Sequence, residues 1–382
     1  MIFTFSVEDS FNVANTSRQH TLDVSVERMD KKLDYEHIRE FNNIQASLRH
    51  SPHQIIHGQL VVEMTFGNEA WSWMTGSLLG TRTAISGYKF TTSQNVWGIL
   101  IGYLDADLAS DSTSFSINEG VVGDFDNVDA VIINGEFITV SSISNGSVTG
   151  CSRAQEGTVA ESHGIKDLVY GVDTDVDRSI VLTHRKKTSR FCESDISLTT
   201  VHDREGVLYA YSGIYVEEMT FNFRTFDSIV AHCSLLGADS TNAITLDDST
   251  ATDNNPIVDL TDIKVYSEHD VEELRQFFIE AHNSMSVPSF GFGSTPQGFF
   301  TTQASTYGVI TWMDDSLENL LQYEDDTKRH FSISFGEDNY RVIFAMNNVR
   351  VNTVSHYLDS ELIIQDSAPW YQYASPVIMY QF

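Results

Sequence analysis

A mainly β fold is predicted, with two β-sandwich or barrel-like modules, each carrying a short α-helix, and a β subdomain inserted into the first. Three observations predict it. One ordered pattern of strand-like and helix-like runs occurs twice, near residue 58 and again near residue 308, and a repeat of that length sets the architecture of a chain. The 23 phenylalanines and 15 tyrosines suit half-buried strands. Two Asn-Gly pairs, Asn134-Gly135 and Asn145-Gly146, sit between apolar runs, the strongest short-range hairpin signal.

Phe3, Phe5 and Val7 alternate with polar residues and predict a first strand; Leu22, Val24 and Val26 predict a second over residues 21–27. Residues 28–52 are charged and polar and predict a long exposed arm or loop. Leu60, Val62, Met64 and Phe66, with Val61 also apolar, predict a strand covered on both faces for part of its length. Asn68 stands where a helix cap belongs, Trp71, Met74, Thr75 and Leu78 follow helical spacing through the amphipathic run 70–79, and Gly80 can end the helix.

The second copy begins with the strand Gly308-Val309-Ile310-Thr311-Trp312, followed by Asp314 as an N-cap and a short helix over 317–321. Strands 196–201 and 207–211 about the turn 202–206 match strands 331–335 and 340–345 about the turn 336–339. A closing pair, 215–221 with 229–236, matches 348–354 with 361–364.

The first copy is interrupted by a long stretch that the second lacks. Within it Val131, Ile133, Phe137, Val140 and Ile143 flank one Asn-Gly turn, and the other precedes the strand 148–151. Residues 239–256 are small, polar and acidic, a linker composition. A strand over 258–266 opens the second module. Ser267 to Asp270 resembles a capping box, and Val271, Leu274, Phe277, Phe278 and Ala281 share one face of a helix. The modules are thus residues 1–87 with 191–238, the insertion 88–190, the linker 239–256, and residues 257–382.

Composition narrows the function. The 382 residues suffice for two domains. Fifty-three acidic residues against 23 basic ones give a formal charge of −30, without the basic footprint of a sequence-reading nucleic-acid binder. Cys151, Cys192 and Cys233 are odd in number and far apart, which excludes a zinc ribbon or disulfide framework and fits a reducing compartment. The N-terminus has no signal-peptide pattern, and no apolar run reaches the ~18 residues of a membrane span. A soluble protein made in a cytoplasm is expected.

The candidate chemical motifs fail on inspection. Asp173, Asp175 and Asp177 imitate the start of a calcium loop, but Arg178 stands where Gly is needed and His184 where Glu is needed. His53 and His57 are four apart without the Glu of a zinc-protease helix. The glycine-rich run from Gly291 to Gly298 lacks the Lys-Ser/Thr of a phosphate loop. Ser77, within Gly76 to Gly80, is misplaced for a nucleophile elbow. Paired acids such as Asp314 and Asp315 are expected by chance in so acidic a chain. No catalytic, cofactor-binding or metal-ligating residue is predicted, and no cofactor.

Two segments resemble known families. Tyr211 to Thr225, ending with Ser234-Leu235-Leu236-Gly237, resembles the closing hairpin of phage tail tube proteins, and His57 to Phe66 with its helix resembles that family's strand-and-helix element. In the insertion, Val131 to Glu136 followed by Ser152-Arg153, Gly157-Thr158, Ala160 and His163 looks like a small β unit of phage tail and tail-fibre proteins; Ser152 replaces the usual Thr. The resemblance implies a virion protein whose sheets join side by side around a ring. Two fused modules per chain would give a trimeric, pseudo-hexameric ring, since six modules divide by two. Stacked rings would form a tail tube through which genomic DNA passes without specific binding. The implied partners are further copies of the chain and tape measure, terminator and distal tail proteins, with no membrane. The expected inter-ring contacts are residues 28–52 and 289–306, and the insertion is expected on the outside. Other readings are a hub, distal tail or fibre-base protein, or a carboxylate glycan hydrolase.

Overall fold

The computed structural model describes residues 2–15, 20–38, 47–65, 67–91, 100–118, 128–185, 196–204, 207–224, 229–242, 263–267, 273–286, 296, 298–313, 329–336, 340–351, 355–358, 364–372 and 376–382. The fold is mainly β, 69% strand, with a closed six-stranded antiparallel barrel and a second sheet.

The first half contains β1 (Ile2–Val7), β2 (His20–Ile38), β3 (Ser47–Glu63), helix α1 (Ala70–Leu79) and β4 (Thr81–Phe90). The inserted stretch adds β5 (Leu100–Leu104), β6 (Ser114–Asn118), β7 (Ala130–Ile133), β8 (Glu136–Thr139), β9 (Ser142–Ser144), β10 (Ser147–Thr149) and β11 (Leu168–His184). Next come β12 (Leu198–Arg204), β13 (Val207–Arg224), β14 (Val230–Gly237) and β15 (Asp239–Asn242). The second half holds β16 (Ile263–Ser267), β17 (Glu273–Ser286), β18 (Phe300–Met313), β19 (Arg329–Gly336), β20 (Arg341–Val351), β21 (Ser355–Leu358), β22 (Ile364–Gln372) and β23 (Val377–Gln381).

The barrel closes in the order β1-β2-β3-β14-β13-β12 and back to β1, every pair antiparallel. The second half repeats this order as β16-β19-β20-β22-β18-β17, with β21 extending β20 along β22. Among the described residues β16 and β17 do not pair, so the second circuit stays open.

The correspondence extends to the irregularities. In the β2–β3 pair the register slips between Val24 opposite Val62 and Val26 opposite Val61. In the β17–β18 pair it slips between Leu274 opposite Trp312 and Gln276 opposite Thr311. Each position moves by 250 residues: 24 to 274, 26 to 276, 61 to 311, 62 to 312. The β12–β13 slip, Leu198 opposite Ile214 and Thr200 opposite Tyr211, recurs as Arg329 opposite Val349 and Phe331 opposite Met346. β15 lies on β13 as β23 lies on β20, with Ala210 opposite Thr241 and Ala345 opposite Val377. A bulge bends a strand and re-aims its side chains, so shared bulges at shared positions mark a duplicated unit.

Several sequence expectations change. The run carrying Leu274, Phe277, Phe278 and Ala281, read with Val271 (which is outside the described residues) as one face of a helix, lies in strand β17, whose burial alternates from Phe277 to Asn283. Its neighbours β13 and β18 offer backbone hydrogen bonds on both edges, and that pairing outweighs a helical spacing of apolar residues. Ser267, read as a cap, ends strand β16 instead. Of the arm over 28–52, residues 28–38 and 47–52 lie in strands β2 and β3, whose backbones pair antiparallel. The turn at 202–206 is narrower, since His202, Asp203 and Arg204 pair with Tyr209, Leu208 and Val207. Residues 239–242 of the linker are strand β15, and 300–306 of the expected inter-ring loop lie in β18. The β20 end pairs with Trp370 to Gln372, while Ile364 pairs with Leu358.

In β3 Leu60 and Val62 are buried, Gln59 and Glu63 are exposed and Val61 is half-buried, so the second face is covered only in part. Helix α1 is not amphipathic, for nine of its ten residues are buried. Residues 317–321 and Asp314 lie outside the described residues.

The hairpin turns fit. Asn134 and Gly135 both have positive φ, 50° and 85°, as do Asn145 and Gly146 at 48° and 70°, the backbone a two-residue hairpin requires. Asn68 caps α1 by accepting from Ala70 N–H at 2.9 Å, and its amide donates to Thr21 O at 2.9 Å, tying the helix to β2. Gly80 ends the helix at φ 97°.

One core joins the halves. It takes Phe3, Leu60, Trp71 and Phe221 from the first and Phe277, Phe335, Phe344 and Tyr380 from the second. The Phe344 ring lies 5.0 Å from that of Phe221 and 6.2 Å from that of Phe277. Helix α1 crosses the same seam: Thr75 Oγ1 is 3.0 Å from Tyr380 Oη, and Asn283 Nδ2 donates to Leu78 O at 2.5 Å. Phe344→Ala is expected to lower stability by about 3–5 kcal/mol and to loosen both halves together. Hydrogen exchange resolved by peptide checks this; loss of protection confined to β19–β23 would refute a shared core.

Candidate functional site

The inserted stretch buries the Glu136 carboxylate within a cluster of donors. Glu136 begins β8 directly after the Asn134-Gly135 turn and is 2% exposed. Arg153 grips it from two nitrogens, Nε to Oε1 and Nη2 to Oε2, both at 2.7 Å. The backbone N–H groups of Ala154 and Glu161 donate to it at 3.1 Å, and His163 Nε2 lies 2.8 Å from Oε2. Arg153 spends its other donors on Ala109 O and Glu161 O.

Burial alone would raise this carboxyl. The hydrogen bonds from His163, Arg153 and the Glu161 backbone outweigh burial and hold it at about 2. Thr158 completes the unit: its hydroxyl accepts from Phe137 N–H at 3.1 Å and donates to Gln155 O at 2.7 Å. Of the residues grouped by the resemblance to a small β unit, Arg153 and His163 bind Glu136 directly, and Thr158 bonds the backbone of its neighbour Phe137. The role of Glu136 was not assigned from the sequence; an acid opening a wholly apolar strand after a hairpin turn is the signal that could have found it.

A second polar network ties the insertion to the second half. Asp167, 3% exposed, accepts from Gly164 N–H at 2.9 Å and from Asn134. Asn134 in turn accepts from Asn347, whose Oδ1 lies 2.7 Å from His330 Nδ1. Nearby, Tyr170 Oη donates to Ser332 Oγ at 2.9 Å. β11 also pairs with β23 from Ile180 to Thr183, so the insertion is anchored by backbone as well as side chains.

Between this unit, the end of α1 and β4 lies a cleft of about 550 Å3, lined by Arg82, Glu136, Thr158, Glu161 and His184 among others. Nothing in it pairs a nucleophile with a base. The Thr81 hydroxyl is bound to the His184 backbone, accepting from its N–H at 3.1 Å and donating to its carbonyl. Glu136 already serves five donors, so its lone pairs are committed to structure.

The rejected motifs take other roles. Asp173, Asp175 and Asp177 lie on β11, where the register with β4 slips between Thr174 and Ser179. Asp175 contacts Lys89 at 3.1 Å, and Asp173 accepts from Thr91 at 2.9 Å. Burial and the nearby Asp129 push the Asp173 carboxyl up despite that hydrogen bond. His53 and His57 lie on strand β3. Of the glycine-rich run only Pro296 and Gly298 are described, and Asp314 and Asp315 fall outside the described residues. Among the described residues no group of three or more His, Cys, Asp or Glu is placed to hold a metal, and no helix is long and apolar enough to cross a membrane. No protein-family model matches the chain, and no curated protein matches it.

Two predictions follow the geometry. Glu136→Gln leaves Arg153 buried without its anion and should cost about 3–5 kcal/mol, read as a lowered thermal midpoint and lost protection of β7 and β8. The folded carboxyl titrates near 2 and the unfolded one near 4.5, so its contribution is complete above pH 4.5 and is lost as the pH falls toward 2. Wild-type stability should fall across that window, and the Glu136→Gln variant should fall less; equal slopes would refute the assignment.

Proposed function

We propose that this chain is a structural subunit of a phage tail tube, polymerising as stacked, trimeric, pseudo-hexameric rings around a channel for DNA ejection. The observation that carries the reading is the duplication: two six-strand circuits with the same order and bulges, already joined side by side through β13 and β17. A chain that holds two copies of one unit edge to edge has a repeating contact within itself. Repeating it between chains, head to tail, gives a ring when the rotation closes.

The charge of −30 supports the same reading, since an acidic channel wall repels phosphates and lets DNA slide. The insertion is clamped by buried polar pairs, which suits a fixed ornament on an assembly better than a moving catalytic part. No DNA-specific contact, cofactor or membrane is involved in this function; the partners are further copies and the tape measure, terminator and distal tail proteins.

Electron cryo-microscopy of the concentrated full chain is the test. Rings of three chains and six similar units per layer, stacking into tubes, are expected. A monomer at every concentration would overturn the reading. A small fixed number of copies at one end of a virion would transfer the chain to the hub, distal tail or fibre-base class, to which the Arg153 unit also bears a resemblance.

A further inference from the structure

Within the chain, Glu218 to Arg224 of β13 pair antiparallel with Gln276 to His282 of β17, Thr220 opposite Glu280, Asn222 opposite Phe278 and Phe223 opposite Phe277. This ladder joins unit one to unit two. The duplication supplies a second set of the same edges, one at each end of the chain.

The counterpart of β17 is β2, displaced by 250 residues, so 277, 278 and 280 correspond to Glu27, Arg28 and Asp30. The counterpart of the β13 end is β21, fixed by the shared partner strand. Thr220 lies opposite His232 and Asn222 opposite Val230 in β14, while Ser355 lies opposite Ser367 and Tyr357 opposite Gln365 in β22. Both sides shift by 135: 220 to 355, 222 to 357, 232 to 367, 230 to 365.

We infer that β21 of one chain pairs antiparallel with β2 of a second copy, Ser355 opposite Asp30, Tyr357 opposite Arg28 and Leu358 opposite Glu27. This deepens the ring reading and rests on it. A strand edge is a ready template for such pairing. Of the β2 positions concerned, the Arg28 side chain is 68% exposed and that of Asp30 47%, while Glu27 contacts buried His202; neighbouring Val26, a large apolar residue, is 49% exposed. Among the described residues β2 pairs with β1 only over positions 20–23, which leaves the later positions on that side clear of β1. The contact joins different strands, β2 of the first unit and β21 of the second, so repeated head to tail it generates a ring when the rotation closes.

Two variants of the full chain, each with one added cysteine, test the register, Arg28→Cys and Tyr357→Cys, each in a Cys192→Ser background. The remaining native thiols are buried, and burial with the nearby Glu218 pushes Cys233 up to about 12, so both stay quiet toward alkylation. A short bismaleimide should give covalent dimers when the variants are mixed and none from either alone. Ser355→Cys mixed with Arg28→Cys, two positions out of register, should give less. Mass photometry and circular dichroism on the same samples report assembly and folding. Rings without dimers, or dimers from a single variant, would overturn the register while leaving ring assembly standing. Absence of both rings and dimers in folded samples would overturn ring assembly and this pairing together.

Discussion

Strand β13 is the constraint on which the rest of the molecule depends. Its first part pairs with β12 on one edge and β15 on the other; its last part pairs with β14 and with β17. One continuous strand therefore closes the barrel and carries the second unit. The change of neighbours occurs at Gly213, whose φ is 62° and where a Cβ would come within 2.8 Å of Ala238 Cβ and 3.0 Å of the Phe11 ring. Only a residue without a side chain takes that backbone at little cost in so crowded a place. Its N–H is held by Glu8 at 2.8 Å, which also accepts from Asn12 N–H and from the hydroxyls of Ser197 and Thr199. The buried carboxylate thus binds β1, β12 and β13 where the barrel closes.

The same device recurs through the molecule. Glu8, Glu136 and Asp167 are each 6% exposed or less, and each accepts from more than one segment of the chain, Glu8 from segments about 190 residues away. Buried polar groups are costly unless fully paired. Here the pairing is directional, so each group fixes one arrangement of the strands that supply its donors. Apolar packing provides cohesion, as in the Phe221, Phe277 and Phe344 cluster, while the polar pins set which strand lies beside which.

Rigidity of this kind suits a part in an assembly. The seam between the halves is built from backbone ladders, a shared aromatic core and the buried helix α1, so the relative placement of the two units is fixed before any neighbour arrives. A ring closes reliably only if the angle between successive units is reproducible. The contact already made inside the chain is the template for the contact proposed between chains.

By itself, the sequence determined the mainly β class, the duplicated order of strands, α1 with its Asn68 cap and Gly80 stop, and both Asn-Gly hairpins. Each of these rests on local chemistry: residue alternation, a side chain that satisfies its own backbone, or a turn that needs positive φ. The sequence's resemblance to a small β unit of phage tail proteins also grouped Arg153, Gly157, Thr158 and His163. The tertiary structure alone decided that residues 273–286 are a strand, because Phe277 and Ala281 suit either period and only the neighbouring edges of β13 and β18 choose between them. It alone decided that Glu136 is the acid that Arg153 and His163 bind. A buried ion pair is a relation between distant segments, and the energy of making it exists only once the fold has brought them together.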